Sequence, residues 1–476
     1  MSEHSKSART FLQNRAQAAW HDETLWMVRE KRDHLAHGVP EWERLRDMAQ
    51  ALKMYSNSHL DTLLPEFERN AERNGAVVHW AADAAEYRQT VAEILESHGV
   101  RHLNKSKSML SEECELNPFL EERGIEVVES DLGERILQML HRKPVHIVLP
   151  AIGVKKEEIG ELFTREMGAE PGNNDQTYLT HVARRALRRT FIEGQAAMTG
   201  ANFAVASTGE CVVCTNEGNA DIITALATSK LQITAFGIDK IVPDRRSLGV
   251  FTRLLARSAT GQPSTTYTSH YRKPRKGGEL HLIIVDNGRS RLLADPDHRM
   301  ALNCLRCGAC MNTCPVYRRS GGYSYTYFIP GPIGINLGMA ADVERYKDNV
   351  SACSLCYSCQ NVCPAKVDLA DQIYRWRQAL AQMHLADPAK HVLSKSLQEV
   401  MEHPAVYHAA LHLAPLANLM PHCLVDNKFN GWGAEREMPE FARESFDALY
   451  RKEQKRDSRA ANGMPDDRNK RNTTQP

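Results

Sequence analysis

Two stretches decide how this chain is read: Cys304-Leu-Arg-Cys307-Gly-Ala-Cys310-Met-Asn-Thr-Cys314-Pro315 and Cys353-Ser-Leu-Cys356-Tyr-Ser-Cys359-Gln-Asn-Val-Cys363-Pro364. Both have the spacing C-x₂-C-x₂-C-x₃-C-P, the signature of iron–sulfur ligation. Cysteines at every third residue of a loop turn three thiolates toward one cubane. The fourth, followed by proline, leaves in another direction. Zinc would favour separated C-x₂₋₄-C knuckles, not four cysteines in one short run ending in Cys-Pro. Two copies of the pattern predict two [4Fe–4S] clusters.

In two-cluster ferredoxins the fourth cysteine of each run serves the other cluster. The expected ligand sets are therefore crossed: Cys304, Cys307, Cys310 and Cys363 for the first cluster, and Cys353, Cys356, Cys359 and Cys314 for the second. Gly308 is expected to let the backbone approach the inorganic sulfurs. The insert from Pro315 to Ala352 is longer than the hairpin of compact bacterial ferredoxins. Asp342–Val350 is helical in composition and a helix follows Cys363, so an α-helical dicluster module is expected.

Working outward, four of the 12 cysteines lie outside the runs. Cys211 and Cys214 sit three apart in an expected strand, where they face opposite sides, and with Cys114 and Cys423 they read as buried thiols. Upstream, short apolar runs at 77–80, 125–128, 145–149, 203–206, 212–214, 231–235 and 280–285 alternate with helical stretches such as 84–95, 132–140 and 178–191. That alternation predicts an α/β domain with a largely parallel sheet. No G-x-G-x-x-G and no P-loop follows any strand, which counts against a nucleotide-dependent dehydrogenase.

The first 75 or so residues carry helical periodicity and no chemistry. Residues 386–445 read as helical with proline breaks, and the charged tail from Arg451 reads as disordered. His408 and His412, at i and i+4, lack a third ligand and read as a surface helix.

The 476 residues carry 60 Lys+Arg against 59 Asp+Glu, a formal net charge of +1. That balance gives no electrostatic reason to expect nucleic acid. No apolar run approaches membrane-spanning length, and the N-terminus carries no export signal. A cytoplasmic location with reduced, metal-binding cysteines is expected.

Several segments together resemble the lactate-utilisation protein B family, the iron–sulfur subunit of a three-part bacterial system oxidising L-lactate. They are Lys105-Ser-Lys-Ser-Met109, Glu126–Gln138, Gly200-Ala-Asn-Phe203, Thr215-Asn-Glu-Gly-Asn219, Asp286-Asn-Gly-Arg-Ser290, and Cys304–Arg318 followed by Gly321-Gly322 and Pro330-Gly-Pro-Ile-Gly334. They span about residues 70–385. The resemblance implies an α/β lactate-utilisation domain with a sugar-isomerase or CoA-transferase-like sheet ahead of the dicluster module. It also implies two partners: a cysteine-rich iron–sulfur oxidoreductase subunit and a smaller protein carrying only the lactate-utilisation domain. A membrane quinone or flavoprotein would accept electrons through those partners. Ala151-Ile152-Gly153 departs from the family, where a histidine is expected after the Pro-Ala pair, so the resemblance implies no histidine chemistry at that loop.

The expected organisation is an N-terminal helical region (1–75), the α/β domain (76–290), the dicluster domain (291–385), a C-terminal helical region (386–450) and a disordered tail (451–476). Asn216-Glu217-Gly218-Asn219, a turn between strand and helix, offers backbone N–H groups to an anion, and Lys105 and Lys107 would complement a small carboxylate. A plain tight turn with solvated lysines is the competing reading. No catalytic residue is assigned. Three functions stay open: electron transfer in lactate oxidation, an α/β domain itself catalytic on a small carboxylate or CoA-like ligand, and a redox sensor or scaffold with structural clusters.

Overall fold

The computed structural model describes residues 3–385, 388–421 and 440–461. Residues up to Ala379 form one compact unit and those from Leu380 a second.

Four helices open the chain: α1 (Glu3–Gln13), α2 (Arg15–His37), α3 (Trp42–Ser58) and α4 (Leu60–Arg73). Asn14 starts α2 by accepting the N–H of Gln17, satisfying one of the donors that a helix leaves free at its first turn. Ten strands follow: β1 (Val77–Ala81), β2 (His102–Lys105), β3 (Glu126–Glu129), β4 (Ala196–Gly200), β5 (Phe203–Val205), β6 (Glu210–Thr215), β7 (Leu231–Gly237), β8 (Ile241–Val242), β9 (Tyr267–Tyr271) and β10 (Glu279–Val285). Six make a sheet in the order β1-β10-β7-β4-β2-β3, with every neighbouring pair parallel. A second sheet, β8-β5-β6-β9, pairs β6 antiparallel to both its neighbours.

The parallel sheet is covered on both faces, as such sheets must be. Tyr87, Val91 and Leu95 of the helix Ala84–Ser97 pack with Leu103, Ile233 and Ile283 on one side. Leu63, Leu64 and Phe67 of α4 pack with Phe236, Leu282 and Ile284 on the other. The expected α/β class with flanking helices stands.

The expected strand at 145–149 is instead an irregular loop. His146 Nδ1 accepts the N–H groups of both Val148 and Leu149, at 3.1 and 3.0 Å, so the donors a strand would use are spent locally. Conversely, β2 and β4 carry no strand signature. Strand β4 reads Ala-Ala-Met-Thr-Gly, small residues at the sheet centre where a Cβ on Gly200 would meet Ser108 Oγ at 2.9 Å.

In the second unit, helices span Pro388–Glu402, Pro404–Leu413 and Phe446–Ala461. The last runs into the stretch read from Arg451 as disordered. Arg451 pairs with Asp447 at 2.9 Å, an i,i+4 pair that favours the helical turn, and Lys452 reaches Glu444, ahead of the helix, at 2.6 Å. His408 and His412 are exposed. Cys423 and the tail from residue 462 lie outside the described residues.

Candidate metal centre and the adjoining cavity

Each cysteine run folds into a loop and a short helix, Ala309–Thr313 in the first and Ser358–Val362 in the second. The two loops repeat one backbone device. Arg306 and Leu355, each the residue before the second cysteine, take φ of 59° and 53°. This left-handed turn points their N–H groups at Cys304 Sγ and Cys353 Sγ, both at 3.3 Å. Tyr317 N–H donates to Cys314 Sγ at 3.5 Å and Val367 N–H to Cys363 Sγ at 3.3 Å. Just after the second cysteine of each run, Gly308 and Tyr357 are again left-handed, at 74° and 61°. Tyrosine tolerates the conformation, so conformation alone does not demand glycine at 308. Space does: a Cβ there would meet His146 Cε1 at 2.7 Å.

The cysteine side chains group across the runs. Burial pushes the Cys307 thiol up, and Cys363 and Cys304 push it further. Cys310 is raised by burial and then by Cys304 and Cys307, with Cys359 and Cys363 also in range. In the other group, burial lifts Cys359 and then Cys314, Cys353 and Cys356 add to it. A single small cavity is lined by Cys314, Cys353, Cys356 and Cys359 together with Pro332 and Ile335.

All eight thiols are free. A tetrahedral zinc with Zn–S bonds of ~2.3 Å draws its sulfurs to within about 3.8 Å of one another. Among the described residues, no three cysteine sulfurs lie within 4.8 Å of one another. Eight free thiols gathered in two groups fit the donor set of two iron–sulfur clusters.

The N-terminal helices, read as carrying no chemistry, clamp these loops. Arg32 of α2 donates to Val362 O at 2.9 Å, and Arg46 of α3 donates to Cys363 O at 2.9 Å and Asn361 O at 2.8 Å. Arg377 donates to Cys353 O at 2.6 Å, and Lys240 to Cys304 O at 3.5 Å. Thr313 and Ser358 hydrogen-bond to each other and tie the two loops together. Helix periodicity revealed α2 and α3, but nothing local marks their arginines as partners of carbonyls some three hundred residues away.

His146 joins the loops to the α/β domain. Because its Nδ1 accepts two N–H groups, its proton sits on Nε2, which donates to Asn312 Oδ1 at 3.0 Å. Burial pushes its pKa down to about 3, so the ring is neutral. Tyr317 closes the same junction by donating to Val145 O.

A cavity of about 210 Å³ opens beyond the carboxyl ends of β2, β3, β4 and β7. It brings together Lys107, Asn216, Glu217 and Asn219 with Leu305 and Arg306 of the first cysteine loop. Gly218 shapes the turn from below, with φ at 67° and its Cα against the Tyr267 ring. Lys107 donates to Val148 O at 2.9 Å and lies 4.0 Å from Asp131. Lys105 is not part of this cavity: it is fully buried and pairs with Glu129 at 2.7 Å and Glu112 at 3.9 Å. Alternation alone would put residues 105 and 107 on one face; the strand ends at Lys105, and the chain turns before Lys107. Cys214 is half-buried in the cavity wall, whereas Cys211 and Cys114 are core thiols.

Among the described residues no helix is long and apolar enough to cross a membrane. The family model described as LUD domain matches residues 64–292, and that described as 4Fe-4S dicluster domain matches residues 300–367, which implies two [4Fe–4S] clusters. Lactate utilization protein B of Shouchella clausii is 37% identical over 87% of this chain and 89% of its own length. The protein of that name from Geobacillus thermodenitrificans is 38% identical over 79% and 80%. An Escherichia coli protein named uncharacterized electron transport protein YkgF is 36% identical over 89% and 90%. A crystal structure of a duf162 family protein from Deinococcus radiodurans overlaps 48% of this chain and 98% of that one, at 13% identity and a TM-score of 0.27. With an α/β domain, paired cysteine cages and relatives matching across nearly its whole length, the chain belongs to the lactate utilization protein B family.

Proposed function

We propose that this chain is the iron–sulfur electron-transfer subunit of a cytosolic complex that oxidises L-lactate to pyruvate. Cys304, Cys307, Cys310 and Cys363 would hold one [4Fe–4S] cluster, and Cys314, Cys353, Cys356 and Cys359 the other. Bound there, each cluster supplies a one-electron redox step. The observation that supports this reading is that Cys363 lies near Cys304, Cys307 and Cys310, and Cys314 near Cys353, Cys356 and Cys359, so thiols of both runs come together.

The protein's own residues do the rest. Backbone N–H groups at 306, 317, 355 and 367 donate to cysteine sulfurs and stabilise added negative charge. Arg32, Arg46, Lys240 and Arg377 hold the loop carbonyls and place positive charge beside both cages. The two sets differ in access: Cys307, Cys310 and Cys363 are buried, whereas Cys356 is exposed. This favours electron entry from the α/β side and exit through the Cys356 edge to a partner. The proposed partners are a cysteine-rich iron–sulfur subunit and a smaller protein of the lactate-utilisation fold, with a quinone or flavoprotein beyond them.

Protein purified without oxygen is expected to hold about eight irons and to show broad absorbance near roughly 400 nm that dithionite bleaches. Zinc in place of iron would overturn the reading. For the substrate, both reduced-cluster EPR signals should appear when lactate is added to the complex isolated from lactate-grown cells, and their absence would remove lactate from the proposal.

A further inference from the structure

We infer that the cavity at the carboxyl ends of β2, β3, β4 and β7 is a binding site for a small carboxylate, anchored by Arg306 beside the first cysteine cage. The inference rests on the proposed electron-transfer role and assigns the α/β domain a ligand within it.

Three of the four cations lining this cavity are already neutralised. Lys107 has Val148 O and Asp131, Lys240 has Asp239, and Arg289 is held by Glu113 at 2.7 Å and Asp239 at 2.7 Å. Arg306 has no ion pair among the described residues, and its Nη1 is buried without a hydrogen-bond partner. A buried guanidinium donor left unpaired is costly, and a carboxylate is the group whose geometry matches it.

The local charge balance points the same way. Asp239 is ringed by Lys53, Lys240, Arg289 and Arg306, and Glu113 supplies the other carboxylate on Arg289. Lys53 also reaches this group, its ammonium donating to the Asp239 carbonyl oxygen.

The opposite wall offers complementary groups. The helix Asn219–Leu226 begins at Gly218 with no side-chain cap, and its first residue, Asn219, lines the cavity. Asn219 is 4% exposed, and its Oδ1 is buried without a partner, as is Thr215 Oγ1. Those acceptors suit a hydroxyl on the same ligand. At about 210 Å³ the cavity falls below the roughly 300 Å³ where pockets for drug-sized ligands begin, which favours an acid of a few carbons over a nucleotide or coenzyme. The position beyond the strand ends is where open parallel sheets bind ligands.

Arg306 also links the site to the cage. Arg306 lines the cavity, and its backbone N–H donates to Cys304 Sγ. A ligand that reorients Arg306 thus reaches a sulfur hydrogen bond of the first cage.

The test uses full-length, iron-loaded protein, calorimetry with L-lactate, pyruvate and acetate, and EPR of the dithionite-reduced sample with and without each acid. Wild-type protein is expected to bind at least one acid and to show a shifted EPR signal when it does. Arg306→Gln with normal iron content should weaken binding about tenfold or more and abolish the shift. Should Arg306→Gln lose iron, Asn219→Ala decides: a comparable weakening supports the site, and unchanged affinity overturns it. Fully loaded wild-type protein that takes up none of the acids at about 10 mM, or an iron-replete Arg306→Gln that binds as wild type does, overturns the inference. Either result leaves the electron-transfer reading standing, whereas failure to load iron overturns that reading and is visible separately.

Discussion

Arg46 Nε lies 2.9 Å from the carbonyl oxygen of Cys363, so α3 grips the last cysteine of the second run. The same guanidinium takes Asn361 O at 2.8 Å and forks onto Glu43 at 2.8 and 2.9 Å. Arg46→Ala leaves two carbonyls in the cage wall without their charged donor, a loss of about 1.5–3 kcal/mol for each well-made bond. The expected result is faster iron release under a chelator, followed by the decay of absorbance near 400 nm. Arg46→Lys offers only a point charge where a fork is needed and should recover part of the loss. Equal release from all three proteins would mean that the helix merely covers the loop.

If the ligand sets are crossed, a substitution in one run removes the cluster named after the other. Cys363→Ser should abolish the same EPR signal as Cys304→Ser, and Cys314→Ser the same signal as Cys356→Ser. Iron content should fall from about eight to about four in each case. Cys363→Ser grouping with Cys356→Ser would establish ligation within each run instead.

The cysteine spacing was readable without coordinates because cluster geometry imposes it on adjacent residues. So was the α/β class, since Leu231–Ala235 and Leu280–Val285 become β7 and β10 of the sheet. What stayed hidden depends on distant partners. Strand β2, with His102, Asn104 and Lys105, looks too polar for a sheet interior until Glu129 is brought 2.7 Å from Lys105. The apolar run at 145–149 looks like a strand until His146 takes its N–H groups. Lys105 and Lys107 are two residues apart, yet the strand ends between them. One becomes a buried ion-pair partner and the other part of the cavity wall. Arg306 lay inside the most legible stretch of the chain, and only the fold brings it to the wall of the cavity beyond the sheet.

Glu134 predicts a pH dependence of stability. Burial, then Glu129 and Glu112, raise its pKa from the ordinary 4.5 to about 8, and its Oε1 is buried without a hydrogen-bond partner. The folded protein therefore holds a proton here that the unfolded chain releases above about pH 4.5. This group's contribution is fully present below that pH and is lost as pH rises through about 8, on the order of 3–5 kcal/mol in all. Denaturant unfolding at pH 6 and pH 8.5 should show the wild type weakening at the higher pH. Glu134→Gln, neutral throughout, should flatten the profile and be the more stable form at pH 8.5. A Glu134→Gln protein with the wild-type slope would place the dependence elsewhere.

Gly308 and His146 should behave as one unit. Alanine at 308 must adopt the left-handed conformation, a cost of about 1–2 kcal/mol. It must also displace the His146 ring, whose Cε1 would lie 2.7 Å from the new Cβ. That ring is held by Asn312 and by two backbone N–H groups, so it has little freedom to yield. Gly308→Ala alone is expected to destabilise by more than the conformational term. His146→Ala alone should cost about 2–3 kcal/mol, through the two N–H groups it leaves unpaired. Together the two changes should cost less than their sum by about 1 kcal/mol or more, because the methyl group enters space the ring has vacated. Tyr357→Gly is the control: its loop has the same left-handed turn, and Tyr357 is 41% exposed rather than packed under a ring. Its change should be small and additive with His146→Ala. Additivity of Gly308→Ala with His146→Ala in a denaturation cycle would show that the close approach is not what reserves position 308 for glycine.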